Sequence, residues 1–316
     1  TTRNARLDYG TSYLLDVFDL DEALIFMKKR LSKTNECKME YYKYKDFSEK
    51  SIALIKRLGY LPLALEQAAA YIKEVRCSIS DYLELLKQSS VDAFSDKYAS
   101  PEYYTSIVTS TWNISFAALE DSSQQLINLC AYMGADNIPV QFFAEMRDLL
   151  PNPLKNALSK QLTLNRIVTG LRTYSLVSGT VEYINIHRLV QEVIRKHHEI
   201  EEENNFGVNR WLQLDFNMLE SYLPSSCEET NGVSQFMPIA IHAESIVRHY
   251  SILVKTESLK LKVANLYDKI GNCYDDCGFF DNAFSNYLSS LQIKELYLGK
   301  RHSETAIEYD NIGLLY

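Results

Sequence analysis

Apolar residues recur at helical spacing along most of the chain. The first clear stripe follows Asp19 and consists of Leu20, Ala23, Leu24, Met27 and Leu31. Since residues three and four positions apart share one face of a helix, this pattern predicts an amphipathic helix. Asp19 and Glu22 lie at its start, where carboxylates accept hydrogen bonds from unpaired amides, so the helix is expected to begin there.

Three more helices are predicted in the first third of the chain. A polar loop rich in Tyr and Lys, at 32–45, separates them from the first helix. They are expected at 48–58, from Pro62 onward, and from a cap at Ser80 and Asp81 to Leu86. Together the four helices form a helical bundle, which we assign to a domain at 19–95.

Gly59 and Pro62 mark the junction between two of these helices. Glycine suits the left-handed position that follows a helix. Proline suits the first turn of the next helix, because its missing N–H would have no partner there. Leu61 and Leu63 flank the proline and give the junction an apolar surface.

The hydrophobic period changes between residues 105 and 200. Helices are expected at 122–133, 140–149 and 154–174. Alternating apolar positions from Leu176 to Ile186, with Ser178-Gly179 as a turn, predict a small β-hairpin. His187 then opens another helix. Helices, a hairpin and a final helix in this order are typical of a winged-helix domain, which we assign to 105–200.

The last part of the chain contains an internal repeat. Ala264, Tyr267, Ile270-Gly271 and Tyr274 recur 42 residues later as Ala306, Tyr309, Ile312-Gly313 and Tyr316. A helix pair repeated at fixed spacing buries its apolar face by stacking on its neighbours, which predicts an α-solenoid. We assign the repeats to 256–316 and a helical linker to 201–255. The chain is expected to be a piece of a longer protein, with more repeats beyond Tyr316.

Composition supports a mainly α, water-soluble chain. Eleven Gly and seven Pro make 18 of 316 residues, about half of average usage. No apolar run approaches the ~18 residues of a membrane span, and no signal peptide opens the chain. The six cysteines lack the paired spacing of a disulfide framework. We therefore expect a cytoplasmic protein that does not bind membranes.

The charge argues against nucleic acid as a partner. The formal net charge is −8, which repels a phosphate backbone. The stretch 105–199 carries eight basic and eight acidic residues, so the predicted winged helix is neutral. A winged-helix regulator that binds DNA is therefore the weakest alternative.

Five segments in order resemble one family. They are Thr1-Thr2-Arg3-Asn4, Asp21-Glu22-Ala23 with Phe26, Leu61-Pro62-Leu63-Ala64, Thr111-Trp112-Asn113-Ile114-Ser115-Phe116, and Ile186-His187-Arg188-Leu189-Val190. This series resembles the NB-ARC class of STAND regulatory NTPases, and the tail resembles tetratricopeptide repeats of the kinesin-light-chain-like kind. The resemblance implies that 1–18 is the end of a nucleotide-binding domain.

The resemblance implies an ADP/ATP site, with Mg²⁺ in the full-length protein. By position, Arg3 would sense the terminal phosphate. Pro62 and Leu63 would touch the adenine ring. His187 would reach the β-phosphate of ADP. Each has a simpler alternative: a surface arginine, a proline that starts a helix, and a histidine satisfied by solvent.

The chain departs from the family at the position after His187. The family has Met-His-Asp, whereas this chain has Ile186-His187-Arg188. A role that needs a carboxylate at this position is therefore in doubt, and Arg188 could add positive charge instead.

The chain shows no catalytic motif. It has no G-x-x-x-x-G-K-[ST] loop to cradle phosphates, and no arrangement of nucleophile and base that indicates hydrolysis. Cys273 and Cys277 are four residues apart without zinc-finger partners, so core or turn thiols are expected. This chain alone is not expected to hydrolyse ATP.

The leading hypothesis is one part of a signalling switch. ADP would hold a closed state, exchange for ATP would release it, and the repeats would bind a protein trigger. The family resemblance implies a role in signal transduction or innate immunity, with homo-oligomers on activation. The alternative is a repeat scaffold that works without nucleotide.

Overall fold

The computed structural model describes residues 17–31, 41–89, 101–200, 208–224, 227 and 232–315. Over these residues the chain is mainly helical, with one small antiparallel sheet. The predicted fold class is confirmed. Contacts divide the chain into two compact units, Thr1–Ile114 and Ser115–Tyr316, and each is described separately below.

The first unit is a helical bundle. Its elements are α1 (Leu20–Leu31), α2 (Tyr41–Arg57), α3 (Pro62–Val75), α4 (Ile79–Ser89) and the N-terminal part of α5 (Pro101–Ala117). One apolar core joins all five helices and includes Met27, Leu54, Ala68, Tyr82 and Ile107. The predicted loop at 32–45 is wrong in part, because the chain is already helical at Tyr41.

The predicted start of α1 is confirmed in atomic detail. The Glu22 amide donates to Asp19 Oδ1 at 2.8 Å, and the Asp19 amide donates to Glu22 Oε2 at 3.0 Å. This reciprocal pair satisfies two backbone donors at the helix end. The cap of α4 lies two residues earlier than predicted, since Ser78 Oγ accepts from the Asp81 amide at 3.1 Å.

The junction before α3 also follows the prediction. Gly59 and Tyr60 both have a φ of 58°, and the Tyr60 amide donates to the Ile55 carbonyl at 3.2 Å. This left-handed turn satisfies carbonyls at the end of α2. Pro62 is the first residue of α3. Its missing N–H costs no hydrogen bond there, because the first amides of a helix have no intrahelical partner.

The second unit begins within α5 and is also mainly helical. Its front part holds α6 (Asp121–Leu129) with a 3₁₀ turn at Cys130–Tyr132, β1 (Ile138–Pro139), α7 (Val140–Glu145), α8 (Leu154–Ala157), α9 (Gln161–Thr173), β2 (Val177–Gly179), β3 (Tyr183–Ile186) and α10 (Arg188–Ile200). Its rear part holds α11 (Arg210–Tyr222), α12 (Gly232–Phe236), α13 (Ala240–Leu253), α14 (Glu257–Asp276), α15 (Phe280–Tyr297) and α16 (Ser303–Leu314). The helix predicted at 154–174 is interrupted between α8 and α9.

The hairpin is present and has a third strand beside it. β3 lies in the middle of the order β1-β3-β2, with Val177 opposite Ile186 and Ile138 opposite Ile184. The predicted turn at Ser178-Gly179 is wrong, because both residues belong to β2. The turn lies at 180–182, where Thr180 Oγ1 accepts from the Glu182 amide at 3.1 Å.

A polar face of α10 holds this helix against the end of α6. Gln191 Nε2 donates to the carbonyls of Cys130 and Met133, both at 2.9 Å. Arg195 donates to the Ala131 carbonyl at 2.5 Å. A helix end leaves carbonyls with spare capacity to accept hydrogen bonds, and these side chains donate to three of them. We call this set the α10 clamp.

His198 extends the clamp by one turn. Its Nδ1 lies 3.0 Å from the Tyr132 hydroxyl, and its Nε2 lies 3.1 Å from Asn128 Oδ1. Burial, and then the nearby side chains of His197, Arg210 and Arg195, lower the pKa of His198 to about 3. The neutral imidazole therefore accepts from Tyr132 and donates to Asn128 at physiological pH.

The helices of the predicted repeat region pack against one another in chain order. A Cβ on Gly271 would lie 2.6 Å from the Tyr287 ring, so glycine lets α14 and α15 approach closely. Lys294 on α15 lies 2.6 Å from Glu308 on α16, and both side chains are buried. Ser290 donates to the same Glu308 oxygen at 2.6 Å. This hydrogen-bonded ion pair connects consecutive helices of the array.

One acidic side chain lies in the core of the second unit without compensation. Asp215 on α11 is 0% exposed, and neither of its carboxyl oxygens has a hydrogen-bond partner among the described residues. Burial raises the pKa of Asp215 well above its usual range, because a low-dielectric core disfavours the charged form. Folding therefore favours the protonated acid.

We expect Asp215→Asn to stabilise the protein at neutral pH. In the unfolded chain Asp215 ionises above about pH 4, whereas the folded state keeps the acid neutral. The wild type therefore loses stability as pH rises from 4 towards the folded-state pKa, by up to ~1.4 kcal/mol per pH unit. The asparagine variant lacks this loss, so its advantage grows with pH.

Urea unfolding at pH 4.5, 6 and 7.5 measures this difference. Asp310→Asn, at an exposed position of α16, is the matched control and should change stability by a few tenths of a kcal/mol at most. A constant difference between wild type and Asp215→Asn over this range would contradict the assignment of a buried neutral acid.

Candidate functional site

The residues predicted to contact nucleotide lie in different parts of the chain. Arg3 lies outside the described residues. Pro62 and Leu63 form the first turn of α3 in the first unit and are half-buried. His187 belongs to the second unit, between β3 and α10. The prediction that these residues share one ligand stays a prediction.

His187 is exposed at the N-terminus of α10. Its Nδ1 accepts a hydrogen bond from the Leu189 amide at 3.1 Å, as a capping side chain does. With Nδ1 as acceptor, the neutral ring carries its proton on Nε2, which is then its donor nitrogen. The adjacent helix end contributes a positive dipole, so the surface at the start of α10 favours negative charge.

A cleft of about 1280 Å³ opens beside the next residue of the chain. It lies entirely within the second unit. Its sides come from α10, α13 and α15, with Asp136 and Asn137 from the loop before β1 and Tyr267 from α14. Arg188, the first residue of α10, lies on this cleft.

Three arginines give one side of the cleft its charge. Arg188 and Arg195 come from α10, and Arg248 comes from α13. Neither Arg188 nor Arg248 has an ion-pair partner within the described part of the chain. Guanidinium groups bind carboxylates and phosphates through paired N–H donors. This side of the cleft therefore suits an anionic group.

The pKa of His249 reflects its burial and the positive charges around it. It lies among Arg195, Arg248 and Tyr132, and its ring meets the Tyr132 ring edge-on at 5.7 Å. Burial, and then the charges of Arg195 and Arg248, lower the pKa of His249 to about 4. Like charges thus surround a neutral imidazole, and an incoming anion would reduce their mutual repulsion.

The part of the cleft that α15 lines is polar rather than basic. α15 contributes a row of short polar side chains, namely Asp281, Asn282, Ser285, Asn286 and Ser289. Asn286 donates to Glu244 Oε1 at 3.1 Å. This hydrogen bond engages Glu244, one of the acidic residues that line the cleft. Amides and hydroxyls of this kind can hydrogen-bond a peptide backbone. The cleft therefore combines an anion-binding side with a side suited to main-chain groups.

Sequence reasoning missed Arg195, Arg248 and His249. Arg188 was noted only as a departure from a family tripeptide. A helical-wheel projection of α10 could have found part of the signal, because positions 188, 191 and 195 share one polar face. The contribution of α13 depends on tertiary packing, which no local pattern in the sequence records.

One family matches part of the chain. It is described as a domain of unknown function (DUF7779), and the match covers residues 114–203. These residues include the small sheet, His187 and the whole of α10, so the clamp lies inside the matched region. Among curated proteins, none matches the chain.

The structure also bears on membrane insertion. In the part of the chain that it describes, no helix has the length and apolar content needed to cross a bilayer.

We predict that Arg248→Gln raises the pKa of His249. Removing one neighbouring cation lowers the cost of protonating the ring, while burial stays the same, so we expect an upward shift of ~0.3–1 pH unit. Histidine ring signals followed by NMR from pH 3 to 8 give the value directly. Arg210→Gln is the control, because Arg210 acts on His198 instead.

Two results would count against this description of the cleft. One is a wild-type His249 that titrates near the ordinary value of about 6.5. The other is an identical His249 pKa in wild type and Arg248→Gln.

Proposed function

We propose that this chain is the regulatory part of a nucleotide-controlled switch whose second unit binds a protein partner. One observation carries the proposal: His187 and Arg188 are consecutive residues at the start of α10. The family resemblance assigns the first to the β-phosphate of ADP. The second lies on the cleft with two other arginines, Arg195 and Arg248. A single helix end would therefore contact both ligands.

The chemistry of the helix end fits a phosphate. Exposed amides and the helix dipole attract anions, and Nε2–H of His187 would donate to a phosphate oxygen. The chain contains no phosphate loop, so a separate nucleotide-binding domain would have to supply the phosphate cradle and the Mg²⁺ site. In this account the chain binds and senses ADP, and it performs no bond cleavage.

The α10 clamp supplies the means of communication. Gln191 and Arg195 fix α10 to the end of α6 by three hydrogen bonds, so the helix moves as a body with that element. A ligand shifts a conformational equilibrium only through its different affinity for the two states. ADP on His187 would favour one placement of α10, and a partner in the cleft would favour the other.

The partner is proposed to be a protein segment that carries acidic side chains. Its carboxylates would pair with Arg188, Arg195 and Arg248, and its backbone would face the polar row of α15. Mixed charge on the cleft, which Asp136 and Asp281 also line, suits a peptide better than a polyanion such as DNA. This choice agrees with the net charge of −8.

A scaffold that works without nucleotide is the second candidate. It is favoured by the fact that the whole cleft belongs to the second unit. A scaffold would hold its partner equally well with and without ADP. The switch requires ADP and partner to weaken each other's binding by the same factor.

We expect His187→Ala to release ADP faster from the full-length protein. Loss of one charge-assisted hydrogen bond, worth ~1.5 kcal/mol, corresponds to roughly tenfold. A filter-binding or fluorescent-ADP chase measures the off-rate. His197→Ala is the matched control, since His197 is an exposed histidine on the same helix and should leave the rate unchanged.

Three outcomes separate the candidates. Faster release from His187→Ala alone supports the switch. Equal off-rates in wild type and His187→Ala would refute the assigned role of this histidine. A full-length protein that captures its partner and binds no ADP at all would favour the scaffold.

A further inference from the structure

Three cysteines that lie far apart in the sequence meet in the second unit. Cys273 and Cys277 are one turn apart at the end of α14, and Cys227 precedes α12. The backbone of Cys227 lies beside the end of α14, because its amide donates to the carboxylate of Asp276, the residue before Cys277. All three are free thiols. We call them the thiol trio.

Two hydrogen bonds hold members of the thiol trio in place. The Cys227 amide donates to Asp276 Oδ2 at 2.6 Å, and Cys273 Sγ donates to the Pro224 carbonyl at 3.8 Å. A Cβ on Gly232 would lie 2.5 Å from the Cys227 Cα atom, so glycine lets α12 lie directly against this cysteine. The approach of the thiols is thus built into the packing of α12 and α14.

Exposure differs among the three thiols. Cys273 and Cys227 are buried, whereas Cys277 is part-exposed. An oxidant from solvent would therefore meet Cys277 first. Cys227 lies beside the end of α14 and would complete the reaction, and Cys273, one turn before Cys277, would exchange with the product.

We propose that the thiol trio is an oxidative modification site at which peroxide forms an intramolecular disulfide from Cys227 to α14. In the first step the Cys277 thiolate attacks hydrogen peroxide, the O–O bond breaks, and a sulfenic acid and water form. In the second step the Cys227 thiolate attacks the sulfenic sulfur, so that an S–S bond forms and hydroxide leaves as water. Peroxide is reduced and the two thiols are oxidised.

The third thiol adds an exchange step. Attack of the Cys273 thiolate on the Cys227 sulfur would move the disulfide to the Cys227–Cys273 pair and return Cys277 to the thiol. Two molecules of a small thiol such as glutathione reverse the oxidation, leaving glutathione disulfide. Burial and the Asp276 carboxylate raise the pKa of all three thiols. Because the thiolate is the nucleophile, these raised pKa values make the reaction with peroxide slow at neutral pH.

A disulfide at this point would tie α12 to the first repeat helix. Phe236 of α12 already meets Tyr274 of α14 edge-on at 4.9 Å. A covalent bond across residues 227–277 restricts the unfolded chain more than the folded one, which stabilises the native packing. Oxidation would thus make the start of the repeat array more rigid, whatever nucleotide is bound.

The experiment uses the whole chain, first reduced and then freed of reductant. Hydrogen peroxide is added, the remaining thiols are blocked with N-ethylmaleimide, and peptides are mapped by mass spectrometry without reduction. We expect a cross-linked peptide that joins Cys227 to Cys277 or Cys273. Melting should move upward by ~5 °C, and dithiothreitol should reverse both changes.

Variants separate this chemistry from general oxidation. Cys227→Ala should lose the cross-link and the melting shift. Should that variant fail to fold, Cys277→Ser at the part-exposed position should slow cross-linking at least tenfold. Cys77→Ala, in the first unit, should behave as wild type.

Two results would overturn the proposal. One is single alkylation of all three thiols after oxidation, with no cross-link. The other is over-oxidation of Cys277, or disulfides only between molecules, while Cys227 stays reduced.

Discussion

The packing of the second unit depends on the hydrogen bonds between α10 and the end of α6. Side chains of α10 donate three hydrogen bonds to the carbonyls of Cys130, Ala131 and Met133, in and just after the 3₁₀ turn that follows α6. Because an unsatisfied buried carbonyl costs about 1–3 kcal/mol, α10 cannot turn or slide without losing several such contacts. This constraint fixes the direction of α10 and the place where it begins.

The position of the site follows from that constraint. With α10 clamped, His187 lies at the exposed helix end and Arg188 lies on the cleft. The same guanidinium that satisfies Ala131 also contributes to the basic side of the cleft. Arg195 therefore makes a structural hydrogen bond and is also a candidate ligand contact. A ligand that moves the Arg195 side chain would break its hydrogen bond to Ala131 and so weaken the α10 clamp.

The features that depend on a few adjacent residues could be predicted from the sequence. The capping pair of Asp19 and Glu22, the Gly59 to Pro62 junction and the step from hairpin to His187 each depend on a few adjacent residues. β1 was missed because two residues carry no period, and its pairing with β3 is decided by the tertiary fold. The cleft and the thiol trio were missed for the same reason: Arg195 meets Arg248, and Cys227 meets Cys273, only after distant helices pack.

If His187 senses a bound nucleoside diphosphate, its ring nitrogens respond to ADP. The full-length protein, labelled with ¹⁵N-histidine and assigned with His187→Gln, is titrated with ADP and followed by NMR. We expect the Nε2 signal of His187 to move on saturation and the pKa of its ring to rise, because a phosphate stabilises the imidazolium. Tight ADP binding with unmoved His187 signals would contradict it.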